Sequence, residues 1–298
     1  MLPTEITECF RVHKGKKFAL ADCDPKDTCG LDIEKAEAKE LLASGVKRLA
    51  KLQEKLYAEH RWSILIIVQG LDTAGKDGVI KHVMSGVNPQ GCEVHSFKQP
   101  SSLELAHDFL WRGGVALPGR GRIGIFNRSY YEETVVVRVH PELLEKQNLP
   151  SKLVTDDIWK QRYQDINNFE LHLARNGTVP IKFYLNISKE EQLERLLARA
   201  DDPDKRWKFS LYDVAERKLW DKFIAAYEDT ISHTATEHAP WYVVPANHKW
   251  FSRLLVAAVL VERLEALDLQ FPKFDQASVE ALAKAQAALR EEEKVLKR

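Results

Sequence analysis

The run SILIIVQ, residues 63–69, is apolar throughout and of strand length. That pattern belongs to a parallel strand covered on both faces. Upstream, Leu41, Leu42, Val46, Leu49, Leu52 and Leu56 recur with a 3.6-residue period and predict a helix over 32–60. Strand patterns return at 92–97, 122–127, 181–187 and 241–246. Helical patterns separate or follow them at 76–87, 102–111, 130–138, 152–175, 188–199, 212–234 and 250–268. Strands alternating with helices predict an α/β fold, a parallel sheet flanked by helices on both faces. One domain is expected overall: an N-terminal helical extension (1–60), a core (61–270) and a helical tail (271–298). In the tail, Leu282, Leu289 and Leu296 stand seven apart, with Gln286 and Glu293 between them. They mark either a contact between subunits or packing back on the same domain.

Composition narrows the class. The chain of 298 residues is 44% hydrophobic and 30% charged, ordinary for a globular protein with a sizeable core. Lys plus Arg and Asp plus Glu both number 44, so no global basic field points to nucleic acid or membrane. Any affinity for polyanions must come from a local cluster of cations. Cys9, Cys23, Cys29 and Cys92 show no C-x-x-C spacing, which predicts reduced thiols and a cytoplasmic setting. A zinc site from Cys23, Cys29 and His13 is the alternative, although its spacing is unusual. The N-terminus carries no signal-peptide pattern, and no stretch approaches the roughly 18 apolar residues of a membrane span.

Directly after the first strand pattern comes GLDTAGKDG, residues 70–78. Strand, G-x-x-x-x-G-K, helix is the context of a phosphate-binding loop. Gly70, Leu71, Asp72, Thr73, Ala74, Gly75, Lys76, Asp77 and Gly78 are therefore candidate phosphate contacts. Backbone N–H groups and the helix N-terminus would meet one phosphate, and Lys76 would reach the next. Such loops normally end in Gly-Lys-Ser or Gly-Lys-Thr, yet Asp77 stands at that place and Asp72 adds a second acid. The strand at 122–127 ends in Asn127, where a magnesium-holding Asp is expected. An amide is a poorer ligand for a hard cation, so the acid has moved into the loop: Asp72, Asp77 or both hold or orient Mg²⁺. The competing reading makes one of them a helix cap.

Cations gather at two places. Arg128 follows Asn127 at a strand's carboxyl end, suited to a bidentate grip on phosphate, with Arg112, Arg120, Arg122 and Arg138 nearby in sequence. Arg195, Arg199, Lys205, Arg206 and Lys208 surround the turn Asp201-Asp202-Pro203 and suggest a lid at about 199–210. Single arginines of this kind are ordinarily solvated; the clustering sets them apart. His107-Asp108 reads as a structural hydrogen bond rather than a general base, and base stacking is open to Trp207 alone among Trp207, Trp241 and Trp250.

The blocks GLDTAGKDG, SFKQPSSLELAHDFLWR, GRIGIFNRSYYEE, ARADDPDKRWKFSLYD and APWYVVPANHKW, in this order, resemble the polyphosphate kinase 2 family over residues from about 30 to 265. The resemblance implies a P-loop kinase fold like that of thymidylate kinases. It implies reversible, Mg²⁺-dependent phosphoryl transfer (Mn²⁺ as a substitute) between inorganic polyphosphate and AMP, ADP or ATP, and a homodimer or homotetramer. Carried over by position, Asp72 orients the attacking phosphate oxygen and binds metal, and Lys76 and Arg128 clamp the transferring group. Arg199, Lys205 and Lys208 belong to the lid, while Lys81, Arg112 and Arg138 line the channel. Many relatives read S-W-Y-N-R-A-G after this arginine; Ser129-Tyr130-Tyr131-Glu132-Glu133-Thr134 resembles the class III subgroup, which accepts both AMP and ADP. Glu132 is then the acid that positions metal or acceptor, against the plainer reading of an exposed acid in a first helical turn. His248 stands where relatives often carry Asp. The rivals are an ATP-dependent nucleotide kinase of the same fold and a polyphosphate-binding protein without turnover.

Overall fold

The apolar run expected to be a covered strand lies at the centre of a six-stranded sheet, in a computed structural model that describes residues 4–297. The side chains of Lys208 and Leu211 also lie outside the described set. The strands are β1 (Arg11–Val12), β2 (Ser63–Gly70), β3 (Cys92–Ser96), β4 (Ile123–Asn127), β5 (Thr178–Asn186) and β6 (Trp241–Pro245). They are ordered β1-β6-β5-β2-β4-β3. All pairs are parallel except β1 with β6. All eight residues of β2 are buried, as a strand with neighbours on both edges and helices on both faces requires. The chain runs from β4 on one side of β2 to β5 on the other, so a crevice opens at the carboxyl end of β2.

Burial explains the helices. Helix Lys35–Glu59 turns Leu49 and Leu56, both fully buried, onto helix Lys249–Glu265, and Gly45 brings the two backbones close beside Ala257. Each such leucine contributes about 1.5–3 kcal/mol. Helix Lys76–Val83 also packs on Lys249–Glu265, which fixes the axis of the helix that follows the phosphate-loop motif.

The observed elements depart from the pattern in several places. The periodicities at 102–111, 130–138 and 212–234 each run across a break. They resolve into Ser102–Leu105 and Trp111–Val115, a 3-10 turn Tyr130–Glu133 with Val136–Val139, and Leu211–Arg217 with Trp220–Thr234. The first break is made by Asp108, whose carboxylate accepts from the Leu110 N–H. No Gly or Pro marks the other two. The tail forms a helix over Gln276–Leu296 with no buried residue, so it does not pack back on its own domain.

The reading of four reduced cysteines needs correction. Cys9 and Cys29 form a disulfide across Cα atoms 6.5 Å apart, and Cys23 and Cys92 keep their thiols. The pairing joins helix Thr4–Cys9 to a loop 20 residues further on, a proximity that spacing does not reveal. It also removes Cys29 from the zinc alternative; among the described residues no cluster of three His, Cys, Asp or Glu groups is arranged for a metal ion. Alkylation of the unfolded, unreduced chain should therefore label two cysteines by mass spectrometry. Labelling of all four would mean the bridge does not form.

The extension also supplies β1, too short to be legible in sequence. From there a strap reaches the sheet's carboxyl end: Asn186 Nδ2 donates to the Cys23 carbonyl (2.8 Å), and the Asn247 N–H to that of Pro25 (3.1 Å). Among the described residues, no helix is long and apolar enough to cross a membrane.

Candidate active site

The loop after β2 reaches its shape through positive backbone angles at Gly70 (φ 150°), Thr73 (64°) and Gly75 (109°). At Gly70 a side chain would also come within 3.0 Å of the Leu185 carbonyl oxygen, so glycine is required there twice over. Gly75, not an acid, occupies the N-cap of helix Lys76–Val83, and Asp77 lies in its first turn. The Asp77 carboxylate accepts from Asn127 Nδ2 (2.8 Å), linking the two positions that depart from the usual motif.

Lys76 is buried and donates to the carbonyls of Gly70 (2.6 Å) and Leu71 (3.1 Å). Burial, reinforced by nearby Arg128 and opposed by Asp72, Glu132 and Asp77, lowers its pKa to about 8. Arg128, itself at positive φ (63°), bridges two acids: Nη2 donates to Asp72 (2.9 Å) and Nη1 to Glu132 (3.1 Å). Glu132 and then Asp72 hold its guanidinium charged against burial, above its ordinary value. Glu132 also accepts from Gln69 Nε2 (3.1 Å). The exposed-acid reading of Glu132 fails, since its side chain is only 13% exposed and pairs with Arg128.

Beside this cluster opens a cavity of about 150 Å³. It is lined by loop residues Gly70, Leu71 and Asp72 with Arg128 and Glu132, together with the aromatic residues Tyr212, Trp220, Phe223 and Tyr227 and the acids Asp213 and Glu216. Burial, then the charge of Asp72, raises the pKa of Asp213, which pairs with Arg199 (3.2 Å). The pattern at 212–234 carried this wall without signalling it, because the break after Arg217 is what presents the aromatic residues at its two ends together.

The other cations divide. Arg195, expected with the lid, is a brace: Nη1 donates to the Thr73 and Ala74 carbonyls (3.0 and 3.2 Å), and Nη2 to those of Ala246 and Asn247 (2.6 and 3.1 Å). Gln192 supports the Asp72 carbonyl (3.2 Å). Arg112 is not brought to the loop; it is buried against Phe97 and bonded to the Lys98 carbonyl (2.9 Å) and Glu133. Arg138 pairs with Asp229 (2.5 Å) and donates to Tyr163 (2.8 Å). Arg120 and Arg122 hold the Arg61 carbonyl and Glu93. Lys205 is exposed and paired with Asp202; the Lys208 side chain lies outside the described residues. His107 bonds the Leu103 carbonyl (2.8 Å) and stacks on Trp111, a structural role.

Two cations escaped sequence reading. A side chain at Gly78 would lie 3.9 Å from Arg253, which places that guanidinium beside the loop. Burial and then Arg195 lower the Arg253 pKa; burial, then Arg195 and Arg253, lower that of Lys249. Lys81 lies in the same group, where with burial and Arg253 it depresses His82. The available signal was HKWFSR, with Lys249 and Arg253 one turn apart at the start of a helix that follows a strand end.

The donor set at the loop is all oxygen. Besides the two carboxylates, Gln69 Oε1 and Thr73 Oγ1 are buried with no hydrogen-bond partner. Hard oxygen donors fit a magnesium ion, which needs only one or two protein carboxylates when water and substrate phosphates supply the rest.

A model of the family "Polyphosphate kinase 2" matches residues 32–272. This chain belongs to the polyphosphate kinase 2 family. It is 49% identical over 268 residues to an ADP-polyphosphate phosphotransferase of Rhodopseudomonas palustris, covering 90% of this chain and 92% of that one. It is 46% identical over 269 residues to an AMP/ADP-polyphosphate phosphotransferase of Meiothermus ruber, covering 90% and 97%. The crystal structure of polyphosphate kinase 2 from Arthrobacter aurescens TC1 superposes with a TM-score of 0.84 at 44% identity, over 93% of this chain and 96% of that one. The fold is the P-loop kinase architecture of those relatives, and the chain is a phosphoryl-transfer enzyme. Divalent-metal use goes with that chemistry.

Proposed function

We propose that the enzyme transfers phosphoryl groups from inorganic polyphosphate to AMP and ADP, giving ADP and ATP, and runs in both directions. The observation that carries this reading is Arg128 held between Asp72 and Glu132, at the junction of the phosphate loop and the aromatic cavity. Polyphosphate lies along Lys81, Lys249 and Arg253 toward the loop, with Arg199, Lys205 and Lys208 on the lid at 199–210. The acceptor nucleotide takes the cavity, its base against the aromatic wall and its phosphate toward Arg128. Lys76 and Arg128 grip the group in transit, and Asp72 orients the attacking phosphate oxygen; positioning and charge supply most of the rate in such reactions.

Asp72 and Asp77 are the residues that would hold Mg²⁺ or Mn²⁺. When bound, the ion neutralises phosphate charge that these carboxylates would otherwise repel. The enzyme assembles as a homodimer or homotetramer in this reading, with the exposed stripe Leu282, Leu289 and Leu296 available for contact.

Product analysis tests the donor: AMP or ADP, polyphosphate and Mg²⁺ without ATP should yield ATP. Phosphorylation of AMP only when ATP is supplied would identify an ATP-dependent nucleotide kinase instead. A second result is expected from pH. Lys76 must be protonated to hold phosphate, and folding lowers its pKa, so its charge is lost as pH rises through about 8. The kcat/KM for polyphosphate should fall above that point, while the kcat limb, reporting the phosphate-bound enzyme, should lie higher. A kcat/KM profile level up to about pH 10, where an ordinary lysine titrates, would exclude this role.

A further inference from the structure

Two residues that face the cavity, Arg128 and Glu132, enclose a segment whose other side chains point into the core. Tyr130 and Tyr131 are fully buried, and both hydroxyls donate to the same oxygen of Glu170 (2.9 and 2.8 Å). The other oxygen of Glu170 receives Lys182 Nζ (2.6 Å), which also donates to the Tyr131 hydroxyl (2.9 Å) and the Thr234 carbonyl (2.8 Å). Glu170 and Lys182 are both 0% exposed, and neither side chain lines the cavity.

We propose that Glu170 and Lys182 are a positioning pair: by fixing the hydroxyls of Tyr130 and Tyr131 they set the places of Arg128 and Glu132 in the site. The proposal rests on the reading that Arg128 and Glu132 act on substrate. A buried ion pair is a poor way to stabilise a core, because apolar side chains of similar volume generally do as well or better. This pair, however, converts two adjacent tyrosines into fixed points. Without them the 3-10 turn Tyr130–Glu133 would be located by ring packing, which tolerates rotation and sliding of the chain. The Ser129 side chain holds the start of the same turn by accepting from the Tyr131 N–H (3.1 Å). Beyond it, Glu133 is held by Arg162 (3.3 Å) and Gln147 (2.6 Å). The segment is thus pinned on its buried side at Tyr130, Tyr131 and Glu133, while Arg128 (at positive φ) and Glu132 project the other way. Lys182 comes from β5 and Glu170 from helix Ile158–Arg175, so the pins transmit the rigidity of the sheet to the site.

The test replaces the pair by apolar residues, Glu170→Met with Lys182→Met, and compares kcat, KM and melting temperature with wild type. The Tyr130 and Tyr131 hydroxyls and the Thr234 carbonyl lose buried partners, so the melting temperature should fall. At temperatures where the variant is folded, kcat should fall about 100-fold, the scale of a 1 Å misplacement, with KM for the nucleotide little changed. A folded variant with wild-type kcat overturns the proposal. Tyr130→Phe with Tyr131→Phe, which removes only the two oxygens, is the second variant and decides the matter should the first not fold: kcat about tenfold lower supports positioning, and full activity overturns it. The ratio of variant to wild type can be read with whichever phosphoryl donor the wild type uses. A wild type that took ATP in place of polyphosphate would therefore refute the donor assignment while leaving this result standing.

Discussion

Asp72→Asn is expected to lower kcat by about 10³-fold or more, within the range that general acid–base groups and electrostatic positioning command. Asp72 is the loop acid in reach of both the cavity and Arg128, with its side chain 31% exposed toward the site. The amide keeps the size and one hydrogen-bond acceptor, so the Arg128 contact and the loop should persist. What disappears is the charge that orients the attacking oxygen and the ion. Polyphosphate affinity should hold or increase, because two like charges about 4 Å apart interact by about 4 kcal/mol at an effective dielectric of 20. Steady-state kinetics combined with direct titration of polyphosphate separates the two effects. Retention of kcat within tenfold would remove Asp72 from the chemistry, and retained binding with lost turnover distinguishes an enzyme from a binding protein.

Arg128→Ala is expected to cost about 10³-fold in kcat/KM, the lower end of what a phosphate-bridging arginine supplies. The substitution removes the cation and leaves Asp72 and Glu132 facing incoming phosphate with no positive partner between them. Arg128→Lys should recover little, since an ammonium is a single point of charge and cannot bridge the two acids as the planar fork does. Measurement of kcat/KM for AMP, ADP and polyphosphate separately checks the assignment. A loss confined to polyphosphate would place Arg128 on the donor chain alone, and recovery of full activity by lysine would show that geometry at this position is unimportant.

The two departures from the usual loop chemistry illustrate what pattern could and could not say. Asp77 for Ser/Thr and Asn127 for Asp are visible as letters, but their mutual hydrogen bond spans 50 residues and only folding creates it. Glu132 and Glu133 are indistinguishable as neighbouring acids in a charged stretch. One faces Arg128 at the cavity, while the other is buried with Arg162 and Gln147, and burial raises its pKa. Arg128 was singled out by its place at a strand end, whereas Arg112, Arg138 and Arg195 were candidates only through their neighbourhood in sequence. In the structure Arg112 and Arg138 hold carboxylates away from the loop, and Arg195 braces the loop through its backbone carbonyls.

The parallel sheet, the phosphate loop at the tip of its central strand and the family were legible from residue order, because burial on both faces writes long apolar runs and tight loops demand glycine at set places. Residue order also marked Asp72, Lys76 and Arg128 as candidates by motif and strand end, and the fold brings these three side chains together. Folding was needed to reveal which cations gather at the loop and which brace the fold, the aromatic wall of the cavity, the Cys9–Cys29 bridge and the Glu170–Lys182 pair. The reason is that a charge or a thiol has the same one-dimensional signature whatever it faces. Its partner is chosen by three-dimensional packing of segments distant in sequence, where desolvation compels every buried polar group to find one.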